Sequence, residues 1–183
     1  TWFGQYAEGF RTPSAKALYG RFENLEENYV VEPNSNLKPE TSKSYETGIR
    51  GNFDSGNFDV AVFYNKYRDF IDEDNAALSP TGTIFQPGNI KRATIKGVEL
   101  KGRLNLDAFG APQGLYSKGA IAYAHGRNDE TGQPLNSVNP LKGVFGLGYD
   151  QDTYGALVSW TLVKKQNRVD SATFFTPTGI KAN

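Results

Sequence analysis

The sequence predicts an all-β chain of about seven antiparallel strands, on three observations. Apolar and polar side chains alternate with period two in stretch after stretch, as they do in strands whose two faces meet different surroundings. Helical content is negligible, and no run approaches the roughly 18 apolar residues of a membrane helix. Long polar loops and short turns follow one another strictly in turn, so one rim of the sheet carries loops and the other carries turns.

The elements follow in order. TWFGQYAEGF at the start is aromatic and strand-like. Gly9 to Glu40 is too long for a simple connection, because loops beyond about 12 to 15 residues are uncommon and usually carry binding or gating. Within it SAKALYGRF has residues for one helical turn, which Gly20 limits. From Ser44 to Phe53, Tyr45, Thr47, Ile49, Gly51 and Phe53 share one face, while Glu46, Arg50 and Asn52 share the other. Asp54-Ser55-Gly56-Asn57 supplies turn residues, and Phe58, Val60, Val62 and Tyr64 restart the apolar face in a strand that continues through Lys66, Arg68 and Phe70. A second long loop, DEDNAALSPTGTIFQPGN, precedes a strand with Val98, Leu100, Gly102, Leu104 and Leu106 on one face and Glu99, Lys101 and Arg103 on the other. After the turn AFGAPQG, Leu115, Gly119, Ile121 and Tyr123 define the next apolar face. A third loop, GRNDETGQPLNSVNP, leads to Leu141 through Tyr149, and the short turn QDT returns the chain through Tyr154, Val158, Trp160 and Leu162. KKQNRVDSATFFTPTGIKAN begins a fourth polar loop.

Composition decides what covers the apolar faces. Only 38% of residues are apolar, yet Gly (20), Tyr (10) and Phe (12) are abundant and Met and Cys are absent. That mixture suits short strands with one face toward an apolar phase and one toward water. A soluble β-sandwich also has short alternating strands. It does not explain charge along whole strand faces, nor aromatics such as Tyr45, Phe53, Tyr64, Tyr149 and Trp160 near strand ends, where interfacial girdles of a membrane barrel lie. The expected fold is therefore a transmembrane antiparallel β-barrel segment with long extracellular loops and short periplasmic turns. Twenty basic and twenty acidic residues cancel, so no field for nucleic acid is implied.

Four sequence boxes carry a resemblance. Phe10-Arg11-Thr12-Pro13 is followed by Asn34-Ser35-Asn36-Leu37, which runs into Lys38-Pro39-Glu40-Thr41. Ile95-Lys96-Gly97-Val98-Glu99 and Pro134-Leu135-Asn136-Ser137-Val138-Asn139-Pro140 complete the set. In this order they resemble the F-R-A-P, N-P-N-L, G-V-E and P-L-N-S-V segments of the heme/hemoglobin branch of TonB-dependent outer-membrane receptors, over essentially the whole chain. The resemblance implies a plugged barrel of roughly 22 strands in a Gram-negative outer membrane. Residues 1–183 would form part of its barrel, with the plug and the closing C-terminal strands lying outside this sequence. It also implies outer-membrane lipid around the barrel, TonB as partner through the plug, and heme as transported ligand, taken free or from hemoglobin or a hemophore. A siderophore receptor of the same architecture, a passive porin and a soluble binding sandwich are the alternatives.

Relatives of this kind hold ferric heme with an axial ligand, often His, between the two boxes. This chain departs from them, since no His lies between Pro13 and Asn34. A Tyr phenolate can also bind ferric heme. Tyr29 is the first candidate and Tyr19 the second, because Leu18-Tyr19 reads as a packing pair; Tyr29 can equally be a residue that packs the loop. Arg11 is a candidate for a heme propionate or for carbonyls at the strand end. Asn34 and Asn36 suit Asx turns that order the loop, or ligand contacts. His125, the single histidine, is a candidate second contact that shares a face with Ile121 and Tyr123.

Catalytic signatures are not found. Asp72, Glu73 and Asp74 sit in a polar loop and are solvated or Ca²⁺-attracting sooner than an acid/base pair, and one histidine makes most nucleophile or metal schemes impossible. No enzyme activity, catalytic cofactor or resident metal is expected.

Overall fold

In the computed structural model, residues 1–73, 76–79 and 82–168 are described. Asp74 and the chain after Arg168, where the fourth polar loop was expected to run on, lie outside them. Seven strands form one antiparallel sheet: β1 (Trp2–Arg11), β4 (Glu40–Phe53), β5 (Gly56–Asp72), β8 (Gly88–Asn105), β9 (Leu115–Asn128), β10 (Lys142–Asp150) and β11 (Gly155–Val163), paired in that order. The remaining strands, β2 (Phe22–Asn24), β3 (Tyr29–Val31), β6 (Ala76–Ser79) and β7 (Gly82–Phe85), belong to the loops.

Register aligns a continuous row of apolar residues on one face from strand to strand. Ile49 pairs with Val60, Val60 with Leu100 and Leu100 with Ile121; one step higher, Val62 pairs with Val98 and Val98 with Tyr123. Phe145 and Trp160 stack at 6.0 Å on the same face. This face stays uncovered: Ile49 is 49% exposed, Val98 38% and Leu147 40%. In a sandwich these side chains would be buried between two layers, so the sandwich alternative falls and the sheet has the two-sided character of a membrane barrel wall.

The opposite face is polar and internally paired. Arg50 Nε lies 2.6 Å from Asp59 Oδ2, Lys101 Nζ lies 3.7 Å from the same oxygen, and the Arg50 guanidinium covers the Phe3 ring at 4.2 Å. Arg103 covers Tyr116 at 3.6 Å. Gly97 is needed here because Phe63 lies across it: a Cβ at Gly97 would stand 2.5 Å from the ring and 2.3 Å from the Tyr123 carbonyl oxygen.

The two rims differ as the spacing predicts. Phe53 pairs with Gly56 across a two-residue turn, and β10 and β11 close between Asp150 and Gly155. The third short connection holds a 3-10 turn, Leu106–Phe109, so the strand ends at Asn105, and Leu106, expected on its apolar face, begins the turn instead. At the other rim β5 and β8 run to 17 and 18 residues, well beyond the roughly 9–11 that span a bilayer, and carry the long loops above the apolar band.

Candidate functional site

The long loops are not irregular. Helix α1 (Ala15–Tyr19) starts where the Ser14 hydroxyl accepts the Ala17 amide at 3.1 Å, and it ends at Gly20, whose amide donates to Lys16 at 2.8 Å. Arg21 then donates to Glu32 and Glu23, each at 3.0 Å, and these carboxylates, Glu32 first, raise its pKa above the ordinary guanidinium value. The hairpin β2–β3 turns on Asn24, whose side-chain oxygen accepts the Glu26 and Glu27 amides at 3.0 and 3.1 Å, and on Asn28 in the left-handed region (φ 53°), which Asn tolerates better than most residues.

Strand β3 then pairs in parallel with β7 from the second long loop, Tyr29 opposite Thr83 and Val31 opposite Phe85. The result is a four-stranded lid in the order β2-β3-β7-β6, joining two loops that the sequence places more than fifty residues apart. Tyr29 is half-buried at its centre, with the Phe22 ring at 6.0 Å and the Phe85 ring edge-on at 5.7 Å. Tyr19, on α1, is 73% exposed.

The lid is anchored by the residues of the first two boxes. The Asn34 amide donates to Ala17 at 2.8 Å, its side-chain nitrogen donates to the Pro87 carbonyl at 2.9 Å, and its side-chain oxygen accepts the Asn36 amide at 3.0 Å. Asn36 contributes this turn amide. Asn89 takes the Lys38 amide at 2.8 Å and donates back to the Lys38 carbonyl at 3.1 Å. Arg11 donates to the Ile71 carbonyl at 2.9 Å and to the buried Glu40 carboxylate at 3.0 Å. These contacts tie both boxes to the tops of β5 and β8, at the base of the sheet that carries Tyr29.

The Pro134–Pro140 box folds onto the polar face. Leu135 is buried against Phe70 and Ala93, with Tyr67, Ile95 and Val138 around them. The Leu135 amide donates to Gly126 at 3.2 Å, and a Cβ on Gly126 would stand 2.4 Å from Val138.

The six sequence candidates therefore separate. Arg11, Asn34 and Asn36 order the base of the lid, and Tyr29 and Tyr19 belong to the lid itself. His125 does not join them: it pairs with Lys96 and shares the uncovered face with Tyr123, while Arg168 donates to it and to the Ala124 carbonyl at 3.1 Å. Sequence reasoning missed Glu40, Asn89 and the inward packing of Leu135. Glu40 and Asn89 face partners 31 and 51 residues away, which no local pattern reveals.

The same architecture recurs in known proteins. The copper transporter OprC superposes on 92% of this chain and 24% of its own, with a TM-score of 0.71 at 22% identity. The siderophore receptor PirA from Acinetobacter baumannii covers 87% of this chain and 26% of its own, with a TM-score of 0.59 at 22% identity. In sequence, the probable hemoglobin and hemoglobin-haptoglobin-binding protein 4 of Haemophilus influenzae is 34% identical over 186 residues, which are 93% of this chain and 18% of that protein. The hemoglobin-haptoglobin utilization protein B of Neisseria meningitidis serogroup C is 34% identical over 167 residues, 80% of this chain and 20% of that protein. The chain thus spans about a fifth of the length of these relatives. The family model for "TonB dependent receptor-like, beta-barrel" matches residues 1–180. With its one-sided apolar sheet, its alternating rims and a match over nearly its full length, the chain belongs to this TonB-dependent receptor β-barrel family.

Proposed function

We propose that this chain is barrel wall and extracellular lid of a Gram-negative outer-membrane receptor that captures heme, free or presented by hemoglobin or a hemophore. Further strands would pair with the edges β1 and β11, and a plug domain reached by TonB would fill the lumen. Binding alone cannot drive uptake against a gradient, so import would draw on that energised partner. The observation that carries the reading is Tyr29, held in the lid between Phe22 and Phe85. A phenolate is a ligand for ferric heme, and aromatic rings beside it suit the flat, apolar porphyrin. The names of the relatives that share about a third of its sequence support heme as the cargo. Tyr19, exposed on α1, is the second ligand candidate.

The test is heme titration of the full-length receptor and its Tyr29→Phe and Tyr19→Phe variants. We expect Tyr29→Phe to lose the phenolate-to-iron absorption and at least about tenfold in affinity, about 1.4 kcal/mol. An unchanged spectrum and affinity would remove Tyr29 from the site. The same result for both variants would leave the lid without a tyrosine ligand.

A further inference from the structure

We infer that the uncovered face carries a binding site for a phosphorylated lipid headgroup, just above the aromatic boundary of the apolar band. Along one row of that face, Tyr6 pairs with Tyr45, Tyr45 with Tyr64, Tyr64 with Lys96 and Lys96 with His125. Below the row lie Val62, Val98 and Tyr123. Above it the face turns basic within two residue pairs: Lys66 pairs with Thr94 and Arg68 with Arg92, and Arg127 lies opposite Thr94. Lys66, Arg68, Arg92, Lys96 and Arg127 line a shallow hollow of about 560 Å³ on this face.

Among the described residues the charge in the hollow is not neutralised. Asp129 is its carboxylate, and it is engaged by the Thr94 hydroxyl at 2.7 Å and by Arg127 at 3.3 Å. Among the described residues no carboxylate stands within ion-pair distance of Lys66, Arg68, Arg92 or Lys96, and all four side chains are exposed. Four cations converging on one hollow repel one another, so the arrangement favours a polyanion.

The occupant is set by what adjoins the hollow. A soluble anion would use the cations alone, whereas here the basic hollow continues without a break into Tyr64, Val62 and Val98. A molecule that lays acyl chains along that band and lifts phosphates to Lys66, Arg92 and Lys96 fits both parts. In the outer leaflet of a Gram-negative outer membrane that chemistry is a phosphorylated glycolipid. The inference rests on the reading that the uncovered face meets lipid.

The experiment uses the full-length receptor in detergent with a chelator present, so that divalent ions cannot bridge phosphates. Purified bisphosphorylated lipid A is titrated by native mass spectrometry against the native receptor and the Lys66→Gln/Arg92→Gln/Lys96→Gln variant. With each cation near an anionic lipid surface contributing about a factor of five, removing three predicts roughly a hundredfold weaker retention. Dephosphorylated lipid A should bind the native receptor as weakly as the intact lipid binds the variant. Equal retention by variant and native receptor overturns the proposal, and so does competition by inorganic phosphate at concentrations equal to the lipid's, which marks a soluble-anion site. Heat-dependent gel mobility checks that the variant is folded; Lys66→Arg/Lys96→Arg, which keeps the charge, should retain the lipid. A receptor that fails to enter membranes at all overturns the lipid-facing reading itself, and leaves the heme titration as an independent result.

Discussion

Arg11 and Glu40 stand opposite each other on β1 and β4, and the guanidinium donates to Glu40 Oε2 at 3.0 Å. That same oxygen accepts the Ile71 amide at 2.8 Å, while Arg11 donates to the Ile71 carbonyl at 2.9 Å. Three residues from three strands thus satisfy one another at the point where the first long loop leaves and re-enters the sheet. Arg11 opens that loop and Glu40 closes it, so the pair sets the distance between the loop's ends.

A first prediction follows for Glu40→Leu. The substitution leaves the Ile71 amide without its acceptor and reduces Arg11 to the Ile71 carbonyl and the Glu73 carboxylate at 3.8 Å, and hydrogen bonds to charged groups contribute about 1.5–3 kcal/mol each where they are shielded. Arg11 is half exposed, so the lower end applies. Residues 12–39 should become cleavable by protease on intact cells at least about tenfold faster, with Glu40→Gln intermediate because its amide oxygen still accepts one bond. Equal cleavage rates for Glu40→Leu and the native protein would show that the loop is held elsewhere.

The uncovered face gives a second prediction. Leu100 lies midway along the apolar band, between Val60 and Ile121, and is 43% exposed. In lipid, an Arg at the middle of a barrel strand costs about 2–4 kcal/mol. Leu100→Arg should therefore lower the urea midpoint of the reconstituted full-length barrel, while Glu99→Gln on the polar face should leave it nearly unchanged. If both variants unfold at the same midpoint, the two faces do not meet different solvents.

Much of this was legible in the sequence. Period-two alternation through Ile49, Val60, Val98 and Ile121 places each strand and its face, because a one-residue register slip would turn these side chains toward the polar side. What alternation cannot carry is pairing between loops. Tyr29-Val30-Val31 and Thr83-Ile84-Phe85 are three-residue runs, too short to show a period, and their parallel pairing joins different loops. The site was legible in part for the same reason: the first two boxes locate Arg11 and Asn34, but their partners Ile71 and Pro87 are set by the folded sheet. His125 illustrates the converse, since its strand position alone fixes which face it takes.

A third prediction separates two glycines covered by aromatic rings. At Gly97 a Cβ would meet both the Phe63 ring and the Tyr123 carbonyl oxygen, 2.3 Å away and fixed by the ladder. At Gly148 the nearest atoms all belong to the Tyr116 side chain, which can rotate. Gly97→Ala should cost about 1–3 kcal/mol through backbone displacement, as overpacking does, and Gly148→Ala distinctly less. Folded yield by heat-dependent gel mobility checks the order; a larger loss at Gly148 would mean that Tyr116 is locked by something beyond its stack on Arg103.

The last prediction concerns the segment around Leu135, which packs on the polar face over β5, β8 and β9. Its hold is small and local: Leu135 is 5% exposed, packed on Phe70 and Ala93, and Val138 presses on Gly126. Truncating a buried Leu costs about 2–5 kcal/mol in a closed core, and less where the cavity opens to solvent, as it does for a loop clasped from one side. Because the segment joins strands that keep their own ladders, the loss should appear as local opening and not as unfolding of the barrel. Leu135→Ala, combined with a reporter Ser137→Cys, should label with a bulky extracellular thiol reagent about tenfold faster or more than Ser137→Cys alone, at an unchanged urea midpoint. Gly126→Ala should do the same, since its new Cβ occupies the space of the Val138 methyl. Unchanged labelling in both variants would mean that the clasp around Leu135 does not hold this segment on the sheet.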